Sequence, residues 1–394
     1  LSPSSAASDV YKRQMERRSS MQRNKAVDAV KGVAILLVML GHCIVLNGLN
    51  ETDPYIYDVI KSVQMPLFML VSGVLASYSL HKYRQDKWYG IKKLPKRVVS
   101  YLLPFTSWFV VVYVWTHAWE AAISLQSFLT EGKELLSQTD RGLWFLTTLF
   151  VIQLMVTLAQ TLAVLLTAGK KVPEALVFAF SSFVLYVLFF LQSRSGNTFL
   201  SPSLTVQYFP FFFLGYFGHG YLEIAEHIER IGQRRPYCVG IAGVLLTALF
   251  LWQVVTQDLT KPVDGVMTLL QQMLASLLGT AVIYFTVTAW AEKKGKLQQG
   301  KQGAVSLLSF LGQYTLEIYV IHFRYARILK ISNRDLIFYS LRGIIWLLAA
   351  FVCMAVLTAV TIFLIRKVKL LNLLLFGKPF EICDRQKAGA GIPR

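Results

Sequence analysis

Ten long apolar runs, almost free of charged side chains, leave this chain few possible folds. A helix needs about 20 mostly apolar residues to cross roughly 30 Å of hydrocarbon. Because backbone polar groups in hydrocarbon must be paired internally, we expect an all-α polytopic membrane protein with about ten transmembrane helices. Nine runs contain no Asp, Glu, Lys or Arg, and the remaining one contains only Glu317. The runs are Gly32 to Asn50, Ser62 to Leu80, Val98 to Trp119, Leu143 to Gly169, Ala175 to Ser193, Leu204 to Tyr221, Tyr237 to Gln257, Met267 to Trp290, Gln302 to Phe323 and Gly343 to Ile365.

The composition excludes several other classes of protein. Of the 394 residues, 55% are hydrophobic and 16% are charged, which rules out an intrinsically disordered chain. Four Cys in a chain of this length do not make a disulfide framework. The net charge of +18 would suggest a nucleic-acid partner in a soluble protein, so the distribution of the basic residues has to decide its meaning.

The basic residues alternate between the segments that connect the runs. If both termini are cytoplasmic, the inner segments hold 30 Lys and Arg and the outer segments hold 10. The positive-inside rule then predicts cytoplasmic termini, with lipid contacts and no nucleic-acid partner. We expect a multi-pass protein of the plasma (inner) membrane. The segment from Arg324 to Arg342 departs from this pattern because it carries five basic residues on the outer side.

Three regions are predicted. Residues 1–25 are expected to be a tail that is disordered or not native to the protein, residues 26–366 a single transmembrane domain, and residues 367–394 a cytoplasmic tail. Between Glu120 and Arg141, spaced apolar residues predict an amphipathic helix on the outer surface.

Polar groups within a span are costly, so each is a functional candidate. His42 follows Lys31 by eleven residues, which places both side chains on one helix face about 16 Å apart along the axis. Asp28 lies close to the same face and is expected to pair with Lys31. The alternatives are a histidine that only bonds two helices and a lysine that extends to the membrane surface.

The run from Asp28 to His42 resembles the first-helix signature of the acyltransferase 3 family of integral membrane O-acyltransferases, in which a basic residue precedes a His by eleven positions. Lys31 stands where Arg is usual, and Ser100 and Tyr101 stand where a further Arg is expected. Four later blocks resemble the family in the same order: Met65 to Gly73, Leu143 to Leu146, Phe209 to Tyr216 and Ile318 to His322.

The resemblance implies a ten-helix enzyme that takes an acyl group from cytoplasmic acyl-CoA, usually acetyl-CoA, and transfers it to a hydroxyl of an extracytoplasmic glycan or lipid-linked sugar. It assigns the essential His to His42 and a donor-side basic residue to Lys31. The later blocks supply the expected acceptor contacts, Trp144, Tyr319 and His322.

A basic cluster before the third run could bind the polyanionic donor, although such clusters also act as topology signals or contact anionic lipid. The cluster consists of Lys92, Lys93, Lys96 and Arg97.

His42 is expected to act as general base towards the acceptor hydroxyl, with an acyl-histidine intermediate as the alternative. Glu317 is expected either to orient His42 or to tie two helices together. No spacing of His, Cys, Asp or Glu predicts a metal site. Two other functions fit the composition: a transporter or flippase for a glycan or lipid-linked sugar, and a membrane sensor.

Overall fold

A computed structural model describes residues 25–47, 54–118, 123–137, 143–257, 265–297, 303–326 and 340–378. Within these ranges the chain forms helices and no strands, which confirms the all-α prediction. The expected tail before residue 25 and most of the basic segment after Arg324 lie outside the described residues.

The helices are numbered in chain order, and a π-helical segment, Val98–Leu102, lies between α5 and α6. Their bounds are α1 Lys25–Leu46, α2 Pro54–Ser77, α3 Leu80–Gln85, α4 Tyr89–Lys92, α5 Leu94–Arg97, α6 Leu103–His117, α7 Leu125–Ser137, α8 Trp144–Thr167, α9 Lys171–Arg194, α10 Pro202–Gly220, α11 Ile224–Arg234, α12 Pro236–Thr256, α13 Val266–Leu297, α14 Ala304–Gln313, α15 Thr315–His322, α16 Leu341–Lys367 and α17 Lys369–Phe376.

Eight helical stretches of the described chain are long and apolar enough to cross a membrane, and the bent pair α14 and α15 makes a ninth if it is one span. The chain is therefore an all-α polytopic membrane protein. The predicted run from Leu204 to Tyr221 corresponds to α10, which is not among these stretches. At 19 residues it is about 28 Å long. Helix α7 confirms the predicted helix between Glu120 and Arg141.

The ninth predicted span is broken. Helices α14 and α15 meet at Tyr314 with a bend of 71°. Gly312 and Thr315 flank the break, and both are weaker helix formers than Ala or Leu. Gly312 also lies against α1, because a Cβ there would be 1.9 Å from the carbonyl oxygen of Asp28. The break turns α15 so that it contacts α1, α16 and α17.

Helices α2 and α10 pack closely through a glycine on each helix. A Cβ on Gly73 would lie 2.1 Å from the carbonyl oxygen of Phe212, and a Cβ on Gly215 would lie 2.0 Å from that of Leu70. Small residues let helix backbones approach closely in membranes, where lipid tails give no hydrophobic driving force. Gly73, the last residue of the block from Met65 to Gly73, therefore allows α2 and α10 to pack closely.

A buried carboxylate connects several helices by hydrogen bonds. Glu174 in α9 is fully buried and accepts hydrogen bonds from Arg84 Nε (2.9 Å), Gln160 Nε2 (2.8 Å) and the Tyr221 hydroxyl (2.7 Å). These partners come from α3, α8 and the residue after α10. Glu174 lies one residue before the predicted run that begins at Ala175, and for that reason the sequence analysis did not identify it.

The described part of the expected C-terminal tail, residues 367–378, contains a short helix that packs against the transmembrane helices. Helix α17 is an apolar segment of eight residues, too short to cross a membrane, and it buries Leu375 and Phe376. The Leu375 carbonyl accepts a hydrogen bond from Trp108 Nε1 (3.1 Å). Gly377 ends the helix at φ +62° and contacts the π-helical segment, since a Cβ there would lie 2.4 Å from the carbonyl oxygen of Val99.

Candidate active site

Two histidines meet near one end of the bundle. His42 lies one turn before the end of α1, and His322 is the last residue of α15. His42 Nδ1 and His322 Nε2 are 2.8 Å apart, and the two rings lie edge to edge, with centroids 5.0 Å apart and planes inclined by 26°. The other nitrogen of His322, Nδ1, is 2.8 Å from the Ile318 carbonyl oxygen. The Phe323 ring packs almost perpendicular to the His42 ring, with the two ring centroids 5.2 Å apart.

These histidines line a cavity of about 420 Å³, which we call the His42 cavity. Its wall comes from α1, α2, α6, α7, α8, α10 and α15, with Phe323 and Arg324 beyond the last helix. The lining residues are Val38, His42, Tyr57, Lys61, Gln64, Met65, Phe105, Trp108, Phe109, Val112, Leu135, Leu143, Trp144, Tyr208, Tyr319, Val320, His322, Phe323 and Arg324. A large apolar cavity with a few convergent polar groups is the usual form of a small-molecule site.

Trp144 and Tyr319, the two other residues predicted to contact the acceptor, also line the His42 cavity. Trp144 stacks on Tyr208 with ring centroids 5.2 Å apart. The Tyr319 hydroxyl accepts a hydrogen bond from the backbone N–H of Phe145 at 3.3 Å. The first N–H groups of a helix have no partner within the helix, so this bond fixes the start of α8 against α15.

Glu317 is hydrogen-bonded to Lys378 and not to His42. Its side chain is fully buried in the first turn of α15, and Oε1 accepts a hydrogen bond from Lys378 Nζ at 2.6 Å. Its Oε2 has no hydrogen-bond partner among the described residues. The partner of His42 is His322. The contacts of Glu317 therefore match the alternative role, in which it ties chain segments together.

A second cavity of about 390 Å³ lies among α2, α8 and the segment from α4 to the π-helical turn; we call it the basic pocket. Three members of the predicted donor cluster, Lys93, Lys96 and Arg97, line it. Arg97 also donates to Thr157 Oγ1. The other lining residues are Ser72, Leu75, Ala76, Ser79, Tyr89, Ser100, Tyr101 and Gln153.

Two predicted donor contacts lie elsewhere. Lys92 is outside the lining of the basic pocket, and its ammonium donates to Asp86 Oδ2 at 2.8 Å. This hydrogen bond lowers the pKa of the exposed Asp86 carboxyl. Lys31 pairs with Asp28 at 3.6 Å, as their spacing predicts, and lines neither cavity.

The two cavities lie one behind the other along α2, along α8 and along the π-helical segment that continues into α6. On α2 the interval between them runs from Met65 to Ser72, which is about 10 Å of helix. On the stretch that leads into α6 it runs from Tyr101 to Phe105, about 6 Å. Buried Phe68 lies within the α2 interval.

The model of one protein family, described as an acyltransferase domain, matches residues 24–367. The chain belongs to the acyltransferase 3 family. Two curated relatives are nodulation proteins NolL. The protein from Sinorhizobium fredii is 35% identical over 95 residues, which cover 23% of this chain and 24% of that protein. The protein from Mesorhizobium japonicum is 26% identical over 144 residues, 35% of this chain and 36% of that protein. The chain thus matches only about a quarter to a third of these relatives' length. No solved structure matches the chain significantly.

Sequence reasoning missed several polar residues of the two cavities in this acyltransferase 3 protein. Gln64 and Gln153 lie inside apolar runs, and their polar side chains are a signal that a search restricted to ionisable groups does not find. Tyr208 lies directly before a family-like block. Lys61 and Arg324 are near the ends of runs, where a basic residue is expected for topology alone. Among the described residues, no group of three His, Cys, Asp or Glu could hold a metal ion.

Proposed function

We propose that this protein is a membrane O-acyltransferase that moves an acyl group, most simply acetyl, from cytoplasmic acyl-CoA to a hydroxyl of an extracytoplasmic glycan or lipid-linked sugar. The observation that carries the proposal is the alignment of the two cavities along α2, along α8 and along the π-helical segment that continues into α6. One cavity offers cations suited to a nucleotide phosphate, and the other offers a potential base. A reaction whose donor and acceptor are on opposite sides of a membrane needs such an arrangement.

The basic pocket suits the phosphates of coenzyme A. Lys93 and Lys96 supply ammonium groups, and Arg97 supplies a guanidinium that can donate two parallel hydrogen bonds to a phosphate. Tyr89 and Tyr101 add aromatic surface. Lys93 lies 5.7 Å from the centroid of the Tyr89 ring, so this face of the pocket joins charge to an aromatic platform.

The positive-inside pattern supports the proposed orientation. The segment with the basic pocket holds seven Lys and Arg between residues 82 and 97, as an inner segment should. The His42 cavity is lined by Leu135 of α7 and by Arg324, and both belong to segments assigned to the outer side. If α10 crosses the membrane as a tenth span, both termini of the chain are cytoplasmic.

The His42 cavity suits a sugar hydroxyl. The stacked Trp144 and Tyr208 present flat apolar surface, on which the C–H face of a sugar ring can lie. Gln64 and Tyr319 provide groups that can hydrogen-bond to hydroxyls in the same wall. This combination of aromatic platform and placed polar groups is the basis for proposing a glycan acceptor.

In the proposed reaction, His42 removes the proton from the acceptor hydroxyl as its oxygen attacks the thioester carbonyl carbon. The new C–O ester bond forms, the C–S bond breaks, and the proton held by His42 passes to the departing thiolate. Imidazole suits both steps because its pKa in water is near neutrality, and positioned general bases contribute about 10² to 10⁴-fold to rate.

Thermal unfolding of the detergent-purified protein with and without acetyl-CoA tests the donor step without knowledge of the acceptor. A ligand at 100 times its dissociation constant stabilises the folded state by about 2.7 kcal/mol. We expect an increase in Tm with acetyl-CoA that exceeds the increase with a control nucleotide that has the phosphates of coenzyme A but lacks the pantetheine arm. Absence of any shift at millimolar acetyl-CoA would contradict the proposed donor and favour a transporter.

A further inference from the structure

We propose that His322 is a positioning residue that fixes the tautomer of His42, so that Nε2 of His42 is the atom that accepts the proton of the acceptor hydroxyl. This inference rests on the proposed acyltransferase function and assigns a role to His322 that differs from acceptor contact. It follows from a chain of three groups: the Ile318 carbonyl, the His322 ring and the His42 ring.

The Ile318 carbonyl determines which nitrogen donates and which accepts in these two hydrogen bonds. A carbonyl oxygen can only accept, so His322 Nδ1, 2.8 Å from the Ile318 oxygen, must carry a hydrogen. In a neutral imidazole the other nitrogen is then an acceptor. His322 Nε2 therefore accepts, and His42 Nδ1, at 2.8 Å, donates. This leaves the lone pair of His42 on Nε2.

The hydrogen bonds take these directions when His322 is neutral, and the surroundings of His322 favour that state. The side chain is 1% exposed, and no carboxylate among the described residues contacts it. A buried imidazolium without an anionic partner is costly in free energy. Glu317, on the same helix, is already engaged by Lys378.

The free nitrogen of His42 is also the one that can reach a substrate. His42 Nε2 has no hydrogen-bond partner among the residues that the structure describes, and the ring lines the cavity. The hydrogen bond to His322, which lies close to the plane of both rings, and the perpendicular contact with the Phe323 ring hold the ring plane of His42. The arrangement follows the logic of catalytic triads, in which a second group orients the imidazole that acts as base.

Two substitutions of similar size separate orientation from packing. Glutamine can place its amide oxygen near the position of the histidine Nε2 and still accept from His42, whereas leucine cannot accept a hydrogen bond. We expect His322→Leu to lower kcat by about 10²-fold or more, with little change in KM for acetyl-CoA. His322→Gln should keep kcat within about tenfold of the wild type. Membrane abundance and Tm of both variants are measured in parallel.

A spectroscopic measurement tests the tautomer without any acyl transfer. Protein labelled with ¹⁵N-histidine gives separate nitrogen signals for protonated and unprotonated ring positions, and loss of one set in His42→Gln assigns the His42 ring. At neutral pH we expect an unprotonated Nε2 and a protonated Nδ1 for His42. In His322→Leu, where this constraint is removed, the two tautomers of His42 should become mixed.

The results separate this proposal from the proposed function. An inactive wild type with the expected His42 tautomer would contradict acyl transfer but support the His322 assignment. Full kcat in His322→Leu, equal losses in the leucine and glutamine variants, or a His42 signal protonated at Nε2 would each overturn the positioning role.

Discussion

The Glu174 cluster and the His42–His322 pair are both polar groups at helix interfaces, but they satisfy their hydrogen bonds in different ways. Glu174 accepts from Arg84, Gln160 and Tyr221, so its carboxylate is fully engaged by three chain segments. In the histidine pair one nitrogen, His42 Nε2, is left without a partner among the described residues and borders a cavity. The first arrangement can only hold helices together, whereas the second retains a group for chemistry.

The difference shows why burial of a polar group is a poor guide to its role. A buried carboxylate whose hydrogen bonds are all formed contributes only to the stability of the folded state. Removal of one of its partners leaves a buried polar or charged group without a hydrogen bond, which is costly in free energy. A site for reaction must instead leave a group that meets its partner only when substrate arrives. Stability and activity should therefore respond separately to substitutions in the two regions.

The largest stability effect is expected at Glu174. Glu174→Ala leaves the Arg84 guanidinium and the Gln160 amide N–H without this acceptor and should cost about 3 kcal/mol of unfolding free energy. The Tm in detergent checks this, and acyl transfer per folded molecule should remain close to wild type. A variant with unchanged Tm and lost activity would reverse the roles assigned to the two regions.

A smaller stability effect is expected at Lys378. This side chain is 42% exposed, and it pairs with the fully buried Glu317. Lys378→Ala leaves that carboxylate uncompensated, so Tm should decrease by less than in Glu174→Ala. The double variant Glu317→Gln with Lys378→Ala should recover part of the loss, because no buried charge remains. Equal Tm in the single and double variants would show that the pair does not couple the two segments.

The basic pocket is expected to control donor affinity with little effect on stability. Lys96→Gln should raise the Kd for acetyl-CoA about tenfold, as expected for one charge-assisted phosphate contact of about 1.4 kcal/mol. Lys87→Gln is the matched control, since Lys87 is exposed in the same basic segment and does not line the pocket. Isothermal titration calorimetry measures both. Equal Kd values for the two variants would contradict donor binding in this pocket.

Much of this fold could be predicted because it depends on hydrophobicity and length. Uncharged runs identify the helices, and the eleven-residue spacing of Lys31 and His42 identifies a polar face. The break at Tyr314 and the return of α17 into the protein could not be predicted in this way. Both depend on tertiary contacts, such as that between Gly377 and Val99, which have no periodic pattern in sequence.

The sequence indicates some of the residues that line the cavities but not how these residues pair. His42, Trp144, Tyr319 and His322 were expected and do line one cavity. The expected link between His42 and Glu317 is replaced by a bond to His322, because the 71° bend directs the end of α15 towards α1 and leaves Glu317 near Lys378. A straight ninth helix was the implicit assumption behind the pairing of His42 with Glu317.

The most direct test of the account compares wild type with His42→Gln at equal membrane abundance, in cells whose surface glycan is analysed by mass spectrometry. We predict that wild type adds acetyl groups to the glycan and that His42→Gln adds none, while acetyl-CoA still raises the Tm of the purified variant. Acetylation by His42→Gln at the wild-type rate would contradict the central claim that His42 carries the chemistry.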